Sequence, residues 1–204
     1  MNMIARAMPI SDDQLVLLER NDPRWQKLHA LIERESLNFG AFTLASGLTS
    51  HYLFRLSQTT MSGEAMSIVC TAIVDLMKRL SLRSIGGLEI GAVPIAAAVA
   101  YAAHAKDYPV DAFYVRKERK KHGARQLIEG HVARGAEALI VDDVTTGGGS
   151  VIKAVKGVRE DFGCTVRYAL SIVDREQGAT EALAKEGVTL VSFFKGSDFD
   201  LNVR

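Results

Sequence analysis

Two adjacent acids, Asp142 and Asp143, end an apolar run and lead at once into Val144, Thr145, Thr146, Gly147, Gly148, Gly149 and Ser150. Glycines let backbone amides approach an anion closely. Hydroxyls add donors, and the N-terminus of a following helix adds a favourable dipole. Such a stretch is a phosphate cradle. The GxxxxGK[ST] loop of nucleoside triphosphate sites and the GxGxxG dinucleotide pattern are both absent. A carboxylate pair beside a phosphate would repel it unless something lies between. A ribose does so: Asp142 and Asp143 can accept from two sugar hydroxyls while the loop Thr145 to Ser150 holds the 5-phosphate. A magnesium ion can be held nearby through water. The plain alternative, a polar strand-to-helix connection, would call for one glycine rather than three.

A second group of chemistry-bearing residues is the basic run Arg116 to His122, RKERKKH. Its alternative reading is a solvated charge run or a nucleic-acid patch. The formal net charge of the chain is only +1, which argues against a nucleic-acid surface. The segment from Lys117 to Gly135 has no clear period, and a loop that long in a compact domain is functional or mobile.

The elements that must position these residues alternate. Asp22-Pro23 reads as an N-cap with proline at the first helical position, and the helix runs toward Phe39-Gly40. Phe42 to Leu44 and His51 to Leu56 read as two strands around a Ser46-Gly47 turn. Ser62 caps a long helix with Met66, Val69, Ile73, Leu76, Met77 and Leu80 on its apolar face. Strands are then expected at Ile85 to Ile90, Val110 to Val115, Ala138 to Val141, Val166 to Val173 and Val188 to Phe194. Helices are expected from Pro94 to about Lys106, Ser150 to Phe162 and Ala179 to Glu186. Strands alternating with helices predict an α/β fold, a central, mostly parallel sheet flanked by helices.

The 204 residues suffice for one domain with a real core. The two cysteines, Cys70 and Cys164, lack ligand spacing for zinc and fit a reducing cytoplasm. The first residues lack the apolar centre of a signal peptide, and the Ala92 to Ala103 stretch falls short of the roughly 18 residues of a membrane span. A cytoplasmic location and no membrane partner are expected.

These residues together resemble the type I phosphoribosyltransferases, whose phosphoribosyl pyrophosphate signature is an apolar run, paired acids and a threonine/glycine loop. Within that superfamily, three further segments resemble orotate phosphoribosyltransferase. They are FTLASGLTSHYLF (Phe42 to Phe54), a substrate hairpin; VRKERKKHG (Val115 to Gly123), a mobile catalytic loop of pattern RKxxKxHG; and IVDRE (Ile172 to Glu176). The resemblance implies the type I fold with a small N-terminal helix/hairpin hood. It also implies a single domain over 1–204, with an arm at 1–20, the hood at 21–60 contributing to the base site, and the catalytic loop at 117–135.

The activity implied is transfer of ribose 5-phosphate from phosphoribosyl pyrophosphate to orotate in pyrimidine synthesis. Asp142 and Asp143 would hold the ribose hydroxyls, and Val144 to Ser150 the 5-phosphate. Thr146, Arg175 and Phe54, with Leu53, would meet orotate. Arg116, Lys117, Lys120 and His122 would bind the pyrophosphate, and Lys120 or His122 could donate to the leaving oxygen. Magnesium would arrive with the diphosphate rather than wait in a fixed site. The loop would reach into a neighbouring subunit, making the enzyme a homodimer.

The chain departs from many relatives at four places. Ala45 and Gly91 stand where some carry lysine, and Arg55 and Ser57 where many carry an acid and a lysine. These leave open a different base, and a non-catalytic sensor of the same fold remains the third reading. His51 and His104 have no partner pattern. Glu89 is divided between a substrate or magnesium contact and a structural hydrogen bond.

Overall fold

A computed structural model of the chain describes residues 12–43, 49–119 and 127–201. A 3-10 turn (Asp12–Leu15) precedes helix α1 (Pro23–Glu35). Asp22 caps α1 as the Asp-Pro pair predicts, its side chain accepting from the Arg24 N–H at 2.8 Å. The helix stops at Glu35, short of the expected Phe39-Gly40. Ser36 is buried with its hydroxyl 2.7 Å from that of Thr59, and Leu37 already pairs with Phe54. The chain is thus committed to strand β1 (Leu37–Thr43), which pairs antiparallel with β2 (Thr49–Phe54). A short helix α2 (Ser57–Thr60) leads to α3 (Gly63–Arg79), where the Ser62 side chain accepts from the Ala65 N–H.

The remaining elements are β3 (Ser84–Leu88), α4 (Ala92–His104), β4 (Asp111–Val115), β5 (Ile128–Gly130), β6 (Glu137–Thr145), α5 (Gly149–Phe162), β7 (Thr165–Asp174), α6 (Ala179–Lys185) and β8 (Thr189–Lys195). They form one six-stranded sheet in the order β5-β4-β3-β6-β7-β8. All neighbours are parallel except β5, which runs antiparallel to β4. Strand β5 lies inside the segment read as one aperiodic loop. Three residues are too few to show a period of two, so pairing with β4 rather than local pattern makes it a strand.

Alternate residues of β6 face opposite cores. Leu139 and Val141 pack with α3 and α4, while Ala138 and Ile140 pack with α5. Burial on both faces is why the strand reads as an unbroken apolar run. Strand β6 also runs four residues past Val141, because Asp142, Val144 and Thr145 stay in register with Ser171, Val173 and Asp174 of β7. The chain order reverses between β3 and β6. In an open parallel sheet the loops at such a boundary diverge beyond the strand ends and leave a crevice.

Candidate active site

Two loops meet at that crevice, one after β3 and one after β6. Asp142 is 8 % exposed and Asp143 half-buried. Asp142 Oδ1 accepts from the Asp143 N–H at 3.0 Å, and Asp143 Oδ1 from the Val144 N–H at 2.8 Å. Among the described residues neither carboxylate has an ion-pair partner. Burial, reinforced by the charge of Asp143, pushes Asp142 up to about 8. Burial also raises Asp143. The opposite loop comes very close: a Cβ on Gly91 would lie 2.6 Å from Asp143 Oδ1 and 2.9 Å from Asp142 Oδ1. No lysine fits at position 91 unless the acids move.

Beside the acids lies a cleft of about 650 Å³, lined by Glu89, Gly91, Lys117 and Ser150, with Ser57 and Met61 at α2. Glu89 Oε1 accepts from the Lys117 N–H at 2.8 Å, and the Glu89 N–H donates to the Val115 carbonyl. Lys153 Nζ donates to the Lys117 carbonyl. The Lys117 backbone is therefore held at both ends, one from each loop's side of the crevice.

A second cleft, of about 510 Å³, shares Asp142, Val144 and Ser150 with the first. It is lined by Leu53, Phe54, Thr146, Gly147 to Gly149 and Arg175. Helix α5 opens on it with no side-chain cap, so first-turn N–H groups remain for a ligand. Gly148 has φ 79°, a left-handed turn that aims the chain into the helix. Thr145 and Thr146 separate in role. The Thr145 hydroxyl is buried, within 3.2 Å of Ser171 Oγ and 3.3 Å of Asp174 Oδ1, which leaves its backbone for the cleft. Thr146 is half-buried at the cleft wall.

Arg175 closes the far end. It is 7 % exposed, its N–H donates to the Thr145 carbonyl, and its guanidinium lies 4.6 Å from the Tyr52 ring centre. Its Nε has no hydrogen-bond partner, and no carboxylate among the described residues pairs with it. A buried cation without a counter-charge is costly, so the geometry calls for an anionic ligand there.

Known proteins resemble this chain over most of its length. The family model of the phosphoribosyl transferase domain matches residues 80–203. An orotate phosphoribosyltransferase of Rhodopseudomonas palustris (strain BisB5) is 42% identical over 177 residues, covering 85% of this chain and 94% of that protein. The chain belongs to the orotate phosphoribosyltransferase family. The crystal structure of Mycobacterium tuberculosis H37Rv orotate phosphoribosyltransferase in complex with Fe(III) dicitrate is 36% identical with a TM-score of 0.75, over 86% of this chain and 98% of that one. The same enzyme in complex with 5-phospho-alpha-D-ribosyl 1-diphosphate gives 34% and 0.71, over the same shares.

Of the family's motif residues, the fold brings Leu53, Phe54, Thr146 and Arg175 to one cleft and Lys117 and Asp143 to the other, with Asp142 lining both. Arg116 lines neither; it is half-buried, with its Nε unpartnered. Lys120, His122 and Ala45 lie outside the described residues. Arg55 is exposed and lines neither cleft, while Ser57 lines the cleft beside the acids. His51 and His104 are exposed. Ser50 and Tyr52, which touch Arg175, lie within the hairpin motif but receive no role from it. Their signal is the alternation Ser50, Tyr52, Phe54 on one face of β2.

Proposed function

We propose that this chain transfers the ribose 5-phosphate of phosphoribosyl pyrophosphate to orotate, releasing pyrophosphate and orotidine 5-phosphate in pyrimidine synthesis. One observation carries the reading: two clefts join at Asp142, with an uncompensated buried arginine at one end. Orotate carries a carboxylate that Arg175 can meet, with Phe54 and Leu53 beside the ring and Thr146 within the same wall. The 5-phosphate sits at the α5 N-terminus, and the ribose hydroxyls donate to Asp142 and Asp143. Those hydroxyls favour the ionised acids, against the burial that raises both.

The diphosphate belongs in the cleft of Glu89, Gly91 and Lys117. As it leaves, negative charge grows on it and positive charge on the sugar, so fixed cations lower the barrier. Lys117 contributes there, and Lys120 and His122 follow it in the RKxxKxHG motif as donors to the leaving oxygen. Among the described residues no group of three or more acids, histidines or cysteines stands ready to hold a metal. The Asp142–Asp143 pair fits a magnesium ion that brings its remaining ligands with the diphosphate. Such an ion would supply further neutralisation of the leaving group.

A homodimer sharing the catalytic loop fits two further features. Met61, Ile90 and Tyr101 expose 80 %, 78 % and 80 % of their surface, and the first two rim the diphosphate cleft. Arg116, a motif residue, lines neither of its own chain's clefts. No described helix is long and apolar enough to cross a membrane. The buried free thiols of Cys70 and Cys164 fit a reducing cytoplasm.

The decisive experiment is loss of orotate absorbance on mixing with phosphoribosyl pyrophosphate and magnesium, with adenine, hypoxanthine and uracil assayed in parallel. Turnover of orotate alone is expected. Turnover of another base alone would replace the base assignment, and ligand binding without turnover would favour a sensor.

A further inference from the structure

Arg175 does not hold its place in the cleft by an ion pair. Its Nη2 donates to Ser50 Oγ at 3.2 Å, and that hydroxyl donates in turn to the Tyr52 carbonyl at 2.7 Å. The Ser50 proton is therefore already committed, which leaves a lone pair facing the guanidinium. Ser50 is itself 8 % exposed, so the bond is shielded from water. The Tyr52 ring supports the guanidinium from one face at 4.6 Å, a favourable contact for a desolvated cation. Tyr52 is braced by Phe54, with ring centres 5.8 Å apart, and Phe54 by Phe199 at 5.1 Å. Phe199 in turn stacks on His29 at 4.5 Å, and His29 Nε2 lies 2.9 Å from the Asp198 carbonyl oxygen.

We propose that Ser50 and Tyr52 are positioning residues for base selection: they fix the Arg175 guanidinium so that its remaining donors face the carboxylate of the incoming base. The proposal rests on the orotate reading above. Its physical basis is that an arginine presents donors in a planar fork, and the fork recognises a carboxylate only when its plane is held. One donor tied to Ser50 and one face covered by Tyr52 remove the freedom to rotate away. Neither residue needs to touch the substrate. Both stand on β2, so the hold on Arg175, which follows β7, comes from outside the phosphate loop.

The test compares full-length wild type with Ser50→Ala, Ser50→Thr and Tyr52→Leu, checking each by its unfolding midpoint. KM is measured for orotate and for phosphoribosyl pyrophosphate, and the inhibition constant for uracil, which lacks the carboxylate. Ser50→Ala is expected to raise KM for orotate about tenfold, the scale of a hydrogen bond to a charged group. KM for the sugar diphosphate and the inhibition constant for uracil should stay within about twofold. Ser50→Thr, which keeps the hydroxyl, should recover most of the loss. Tyr52→Leu should repeat the orotate-selective loss and serves if Ser50→Ala does not fold. Equal losses for orotate and uracil, a fall in kcat alone, or unchanged KM for orotate would each overturn the proposal. Failure of the wild type to use orotate would instead overturn the function it rests on, and the proposal with it.

Discussion

Gly91 faces Asp143 across the crevice so closely that a single added carbon would stand 2.6 Å from the carboxylate oxygen. The two loops proposed for the sugar and the diphosphate are thus in contact through a missing side chain. A lysine at this place would require a wider spacing of the loops. Here Gly91→Ala is expected to displace Asp142 and Asp143 and lower kcat/KM for phosphoribosyl pyrophosphate by about tenfold to a hundredfold. Gly91→Lys should do no better despite its charge. Steady-state kinetics with far-ultraviolet circular dichroism as a folding control checks both, and a gain in activity for the lysine variant would refute the spacing argument.

Asp142 links activity to a cost in stability. Its folded value is raised from 3.8 to about 8, chiefly by burial. Below about pH 4 the folded and unfolded chains both keep the proton. Between there and about pH 8 the unfolded chain has lost it while the fold retains it, so stability falls as pH rises through this window and then levels off. Asp142→Asn removes that fall and can still accept from the Asp143 N–H. The ligand-free variant should melt on the order of 10 °C above wild type at pH 8, with the gap closing toward pH 4, while losing activity. Thermal melts across this range give the answer, and a gap that widens on acidification contradicts the stated sign.

Glu89 ties the diphosphate loop to the start of the basic segment through the Lys117 N–H, at 2.8 Å. Glu89→Ala leaves that amide without its acceptor and should lower kcat about tenfold with little change in KM for orotate. Glu89→Gln retains an acceptor oxygen and should keep most of the activity. Equal losses in the two variants would mean that the charge of Glu89, rather than its hold on Lys117, is what matters.

Lys120 carries a different expectation. Lys120→Ala should cut turnover far more than it weakens orotate binding, because the lysine is assigned to the leaving group. If the loop is shared between subunits, mixing Lys120→Ala with Asp143→Asn should produce activity that neither variant has alone. Equal effects on turnover and orotate binding would remove Lys120 from the leaving group, and a silent mixture would place each site within one chain.

The succession of strands and helices is legible residue by residue. Leu139 to Val141 announces a strand buried on both faces, Gly147 to Gly149 announces the turn into α5, where Gly148 has φ 79°, and Asp22 and Ser62 announce helix starts. Each signal depends on conformational preferences and burial within a few neighbouring positions. Strand β5 and the extension of β6 to Thr145 are not legible in this way, since both exist only because a partner strand lies alongside.

The contacts that complete the site join residues far apart in the chain. Ser50 and Arg175 are separated by 125 positions, and nothing near either one records the other. Gly91 approaches Asp143 only because β3 and β6 lie side by side where the chain order reverses. The chemistry of the individual groups is written in contiguous residues. Their mutual orientation depends on which loops the sheet order brings together, because parallel strand pairing is a long-range choice with no local signal.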